Sequence, residues 1–386
     1  NRFNLGLGWS SALSNIDYTI KAGFGYFGFS KAYSTLLDKA AKEINGSVNA
    51  DVRYYFSPSN SIGAELGVTF AKYSDGREII LTPANDESRA TPSYLSDLVS
   101  RTAGVASVKP YYMYSMDAFS ARLGVNVSHS WYDGGKTHVF PDVKLAITPA
   151  RQFSIGLHLY GGDSQLNSLS ALFAHSHYLN PSLIYAPSWQ KWFGDVNVVI
   201  GPFSGATIEL WGGMGKAGNW AMPALIGTDE ALRGAYYGMD FKSTHYGMAF
   251  SYKYRDMASL RLSYEGAPQG IDKGYTMWSD RAKSVFNAQL TVSPISALDI
   301  CLGYELRSGR AIYEVGSDSD DIFQGTYYTL HTIGNVNSLN LGATYRITPQ
   351  FNVWANVENL LNSKWEAVYG IPAKGVTGLV GIGYKF

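Results

Sequence analysis

The chain has 386 residues and sets 31 lysines and arginines against 31 aspartates and glutamates, for a formal net charge of zero. That length suits roughly two or three soluble domains or one large barrel, and the balance excludes a nucleic-acid binder working through a basic excess. Charged residues are 16% of the chain, below the ~25% of soluble domains, while aromatics reach 14% and glycine occurs 41 times.

No run of 18 or more apolar residues occurs, which excludes a transmembrane helix. The mean hydropathy of −0.10 reads as soluble. A membrane barrel gives the same average, because lipid-facing and lumen-facing residues alternate. The single Cys301 excludes an intramolecular disulfide. Asn1-Arg2-Phe3 opens no basic-then-apolar leader, so a processed or truncated start is expected.

In chain order, strands are predicted at 3–10 and 18–28. Segment 30–46 breaks the rhythm: Leu36, Leu37, Ala40 and Ala41 fall at helical spacing and Asn45-Gly46 supplies a stop, so a short helix in an outer loop is expected. Strands at 47–56 and 61–72 follow. In the latter, Ile62, Ala64, Leu66, Val68 and Phe70 alternate with Gly63, Glu65, Gly67, Thr69 and Ala71. Successive strand side chains point to opposite faces, so one face is apolar and the other small or polar. The pattern continues at 106–114, 118–131, 140–147, 152–162, 192–201, 205–214, 244–254, 258–266, 284–293, 298–308, 337–347, 351–358 and 375–386.

Two features favour lipid over a soluble sandwich. The strands run ~9–11 residues, as a tilted crossing requires. Their apolar faces end in aromatics such as Tyr54, Phe56, Phe119, Tyr252, Tyr254 and Tyr345, which suits interfacial girdles. Connections also alternate. Ser57-Pro58-Ser59-Asn60, Ser115-Met116-Asp117, Thr148-Pro149-Ala150-Arg151, Pro202-Phe203-Ser204, Arg255-Asp256-Met257, Ser293-Pro294-Ile295-Ser296 and Thr348-Pro349-Gln350 are short. The segments 30–46, 73–105, 161–191, 215–243, 267–283, 309–336 and 361–374 are long. Short turns are expected in the periplasm and long loops outside. The expected fold is therefore all-β: one transmembrane antiparallel β-barrel of about 16–18 strands, a single domain over 1–386. Seventeen strands are counted, and an even number requires that the first be a lead-in to a sixteen-stranded barrel, that an N-terminal strand be missing, or that a further strand lie near 180–188.

The polar faces carry both signs of charge. Glu65, Arg122, Glu209, Arg261, Asp299, Glu305, Arg307, Arg346 and Glu358 are the lumen-facing candidates, with Asp51, Arg53 and Asp142 beside them. Two roles stay open: a constriction that aligns solutes, or cross-strand pairing that stiffens the wall. A selective ion pore would cluster one sign.

Enzyme signals are weak. His175 and His177 lack a third ligand at motif spacing. Asp318, Asp320 and Asp321 lack a full calcium-loop spacing. Gly212-Gly213-Met214-Gly215 opens no phosphate loop, and no Gly-x-Ser-x-Gly elbow occurs. No enzyme activity, cofactor or metal is expected.

The C-terminus is the sharpest local signal. Val380, Ile382, Tyr384 and Phe386 share one face and end the chain. They resemble the terminal-strand signal read by the outer-membrane insertion machinery. Before them stand Asn356-Val357-Glu358-Asn359-Leu360-Leu361-Asn362-Ser363-Lys364-Trp365 and Tyr369-Gly370-Ile371-Pro372. Together these resemble the C-terminal signature of TonB-dependent receptors, and Leu-Asn-Pro-Ser-Leu at 179–183 looks like a mid-barrel segment of that family. The resemblance implies a receptor barrel in the outer membrane of a Gram-negative bacterium, and the Tyr-rich, Gly- and Ser-rich loops suit the Bacteroidota. Receptors of that family have 22 strands and an N-terminal plug, and no plug-like region precedes these strands. The expectation is the barrel part of a longer receptor or a plugless barrel, passing solutes across the outer membrane. The alternative is a non-transporting scaffold in an outer-membrane complex. The lipid bilayer, the insertion machinery and, through the outer loops, other outer-membrane proteins or lipoproteins are the expected partners.

Overall fold

The alternation forms strand after strand in the computed structural model, which describes residues 1–30, 40, 42–74, 100–131, 135–162, 164–166, 187–226, 233–267, 269–271, 282–317 and 326–385. First come β1 (Arg2–Leu13), β2 (Ile16–Gly28), β3 (Lys42–Ser57), β4 (Asn60–Ser74), β5 (Ser100–Met116), β6 (Phe119–Ser130), β7 (Lys136–Ala150) and β8 (Phe153–Tyr160). Next are β9 (Ser164–Gln165), β10 (Ser188–Phe203), β11 (Ala206–Ile226), β12 (Arg233–Tyr254), β13 (Ala258–Gly266), β14 (Gln269–Ile271), β15 (Ser284–Ile295) and β16 (Leu298–Ser308). The last are β17 (Arg310–Ser317), β18 (Thr326–Ile333), β19 (Val336–Arg346), β20 (Phe351–Glu358), β21 (Glu366–Val368), β22 (Ile371–Pro372) and β23 (Thr377–Tyr384).

The seventeen strands expected from alternation are all present, as β1 to β8, β10 to β13, β15, β16, β19, β20 and β23. The other six are short pieces in the long connections. One expectation needs correction. Residues 42–46, read as the end of a helix, are the outer end of β3, where Ile44 faces Tyr26 of β2 and Lys72 of β4. Two flanking ladders satisfy every backbone group there, and helical side-chain spacing alone offers nothing comparable. Residues 31–39 and 41 of that segment lie outside the described residues. So do His175, His177, Asp318, Asp320, Asp321, the 179–183 segment, residues 180–186 of the suspected extra strand, and Phe386.

The chain divides into two compact units. The first holds residues 1–145, 158–193 and 215–241. Within it β1 to β6 pair in sequence order, each antiparallel to the next. Register aligns Tyr54, Ile62, Tyr112 and Leu123 in one cross-strand row, and Asp51, Glu65 and Lys109 in a neighbouring row of the opposite face.

The second unit holds residues 146–157, 194–214 and 242–386. Its ladder runs β12, β13, β15, β16, β19, β20, β23. Tyr252, Leu260, Leu290, Leu302, Leu341 and Val357 form a single row along it. β16 pairs with β19 because Gly309, at φ +67°, turns the chain out of that ladder into the hairpin β17–β18. The left-handed region that this turn uses carries no steric penalty for glycine.

The apolar rows are open to the surroundings. Leu66 is 48% exposed, Leu123 50%, Ile300 36% and Leu341 39%. A sandwich core would hold them near zero. Contiguous exposure on this scale in both units needs an apolar solvent. Aromatics mark the ends of the rows: Phe56 stacks on Tyr112 beside the Pro58-Ser59 turn, and Tyr246 packs against Tyr264 toward the outer ends of β12 and β13. β11 and β12 have 21 and 22 residues, about twice the ~9–11 that cross the hydrocarbon, so their outer halves stand beyond it.

Candidate functional site

The polar face of the first unit is a layered network. On β3, Arg53 donates from Nε to the Tyr111 hydroxyl (3.2 Å) and from Nη1 to the Tyr55 hydroxyl (3.2 Å). Those phenols donate onward, Tyr111 to Asp51 (3.1 Å) and Tyr55 to Asp17 (2.7 Å). Tyr111 also carries the guanidinium of Arg122, whose carbon lies 3.9 Å from the ring centroid. Arg122 donates to Glu65 at 2.6 Å and has Asp142 at 3.3 Å. Asp142 in turn meets His158 Nε2 at 3.0 Å. Seven strands, β2 to β8, contribute to this chain of contacts. Arg122 is mostly buried, so its charge is solvated by a ring face and two carboxylates rather than by water.

The second unit uses simpler pairs. Arg261 on β13 reaches across β12 to Glu209 on β11 with two parallel bonds of 3.1 and 2.9 Å. Arg346 on β19 bonds Asp299 on β16, and Asp299 also accepts from Ser293 at 2.7 Å. Arg307 and Glu305 pair along β16 at 2.6 Å. His245 lies 3.5 Å from Asp195. Between the charges the face is flat. Asn356 and Asn352 lie over glycines of the adjacent strands, so that a Cβ added to Gly342 would meet Asn356 Oδ1 at 2.6 Å and one on Gly383 would meet Asn352 Oδ1 at 2.8 Å.

Above β20 the Asn-Leu-Leu-Asn signature forms a knot. Asn359 is buried at φ +52°. Its side chain accepts from Ser363 N (3.1 Å) and donates to the carbonyls of Ser363 (3.1 Å) and Lys374 (3.3 Å). Its own N–H donates to Asn340 of β19 at 2.9 Å. Asn tolerates the left-handed region better than other non-glycine residues. Buried Arg310 fixes the following hairpin by donating to the carbonyls of Glu366 and Ala367, both at 2.7 Å. The signature is therefore a structural clasp on the last outer connection.

Eight of the nine sequence candidates meet in four pairs: Glu65 with Arg122, Glu209 with Arg261, Asp299 with Arg346, and Glu305 with Arg307. Glu358, last residue of β20, belongs to none of them. Sequence reasoning passed over Tyr55, Tyr111, Asp17 and His158, which hold the first network together. Their position on the polar face follows from the two-residue period. That a phenol there carries two arginines does not. Val380 and Ile382 stand 83% and 73% exposed on one face of β23, with Tyr384 beside them.

No family model matches the sequence, and neither does any curated protein. Solved structures do match. The copper transporter OprC superposes with a TM-score of 0.66 at 10% identity, covering 100% of this chain and 65% of that one. The FrpB iron transporter from Neisseria meningitidis gives 0.68 at 11% identity, covering 100% and 63%. The siderophore receptor PirA from Acinetobacter baumannii gives 0.65 at 8% identity, covering 100% and 62%. This chain thus spans less than two thirds of the length of the structures it matches. The fold is that of the antiparallel outer-membrane barrels of TonB-dependent receptors.

Proposed function

We propose that this chain forms the wall of a solute conduit across the outer membrane of a Gram-negative bacterium, as the barrel of a TonB-dependent-receptor type protein. In this reading the exposed apolar rows meet lipid and the polar face lines the lumen. The observation that carries it is the pairing of both charge signs along one face of strands whose other face is bare hydrocarbon. Paired charges leave a hydrated wall without a strong field of one sign, which suits solutes larger than a single ion. The matched structures are transporters and receptors by name, which supports transport over a scaffold role. The terminal strand with Val380, Ile382, Tyr384 and Phe386 serves as the insertion signal. Conductance of the purified protein in planar lipid bilayers tests the reading. Steady, ohmic current is expected. Bilayers that stay silent although the protein has inserted would overturn open passage.

A further inference from the structure

The apolar face of the first unit changes character at the outer ends of β2 to β5. Register sets Phe24, Gly46, Phe70 and Gly104 in one cross-strand row. Phe70 lies down over Gly46, where an added Cβ would meet its Cε1 at 2.7 Å, and the Trp131 ring lies over Gly104 in the same way. The next row outward is Tyr26, Ile44, Lys72 and Thr102. Beyond it Gly28, Lys42 and Ser74 stand in line. Every residue in these rows has the same parity as Leu66, so the two lysines lie on the apolar face and not on the charged one.

Lys42 and Lys72 are the two charged residues on that face of β2 to β5 among the described residues. Both are exposed, and neither has a hydrogen-bond or ion-pair partner there. They occupy diagonal positions of the β3–β4 ladder, a spacing of roughly 7–8 Å that long side chains bridge easily. Two bare ammonium groups so placed repel each other, and an anion between them reverses the sign of that interaction. Hydroxyl groups surround the pair. Ser74 faces Lys42, Thr102 faces Lys72, and the Tyr26 phenol reaches outward to within 2.7 Å of the Cβ position on Gly28, the residue opposite Lys42. Below them Phe24, Ile44, Phe70 and Trp131 remain 38–46% exposed. The order along the wall is thus hydrocarbon, aromatic row, cations and hydroxyls. That is the order of acyl chain, interface and anionic headgroup in a lipid leaflet.

We infer that Lys42 and Lys72, above the Phe24–Phe70–Trp131 row, form a docking site for the phosphorylated headgroup of an outer-leaflet glycolipid. This rests on the reading of the apolar rows as lipid-facing and the long connections as outer. The phosphate sits between the two ammonium groups and accepts hydrogen bonds from them and from the neighbouring hydroxyls. The acyl chains run down over the flat aromatic–glycine row.

Native mass spectrometry of the detergent-solubilised protein across a concentration series of lipid A tests this, with enzymatically dephosphorylated lipid A as the control. Saturable binding of the phosphorylated form, at least tenfold tighter than that of the control, is expected. Inorganic phosphate at equal concentration should leave the bound lipid in place. The double variant Lys42→Gln, Lys72→Gln should weaken binding at least tenfold, and Lys42→Arg with Lys72→Arg should retain it, which separates charge recognition from misfolding. Lys21→Gln removes a lysine from the opposite face of β2 and should leave affinity unchanged. Equal binding of the two lipid forms, displacement by inorganic phosphate alone, unchanged affinity in the double glutamine variant, or an equal loss in Lys21→Gln would overturn the site. Bilayer conductance reports separately on passage: a conducting protein indifferent to the phosphates loses the site alone, and a silent one with lysine-dependent lipid binding loses the conduit alone.

Discussion

The polar faces of the two units solve one problem differently. Each must hold arginines on a sheet whose other face is hydrocarbon. In the first unit Arg53 and Arg122 share Tyr111, and carboxylates from several strands close the network. In the second, Arg261, Arg307 and Arg346 each take one carboxylate and keep about half of their side-chain surface in solvent. The lesson is that an arginine on a barrel strand can act as a structural keystone or as a solvated wall group. Burial and the phenol beneath it decide which, since exposed pairs contribute little and removal of one buried partner strands the other.

The largest contrast is expected from Arg122→Ala against Arg261→Ala. Loss of Arg122 leaves Asp142, 9% exposed, without its cation and should destabilise the protein by about 3 kcal/mol. Loss of Arg261 should change stability by under ~1 kcal/mol. Urea unfolding in detergent micelles, followed by tryptophan fluorescence, checks both, and equal midpoints would erase the distinction. Asn359→Ala should fall next, at about 2 kcal/mol, because a buried residue at positive φ loses its side-chain bonds to three backbone groups. Its unfolding midpoint should lie between the two arginine variants.

A smaller effect concerns conduction. Arg261→Gln bares the Glu209 carboxylate and should shift bilayer reversal potentials toward cation preference in a salt gradient. Arg122→Gln should shift them at least as far, because Glu65 is as exposed as Glu209 and Asp142 loses the same cation.

Much of this architecture was legible in the chain. Alternation is a local property, since each residue's face follows from its neighbour's. That Leu66, Leu123, Ile300 and Leu341 lie on the apolar faces of their strands, and Glu65, Arg122, Glu209 and Arg261 on the polar faces of theirs, could therefore be read from spacing alone. The segment 42–46 could not. Its helical spacing was real, and the ladders from β2 and β4 outweighed it.

Sequence by itself determined the seventeen long strands, their two-faced character and the clasp residues of the last connection. Tertiary structure decided which carboxylate each arginine meets, that β19 rather than β17 lies beside β16, and that Phe70 and Trp131 lie down over glycines of the adjacent strand. The physical reason is range. Faces are set by adjacent residues, whereas partners are set by strand register between segments up to about sixty residues apart, as with Asp51 and Tyr111. No local pattern encodes that register until the hydrogen-bonded ladder has formed.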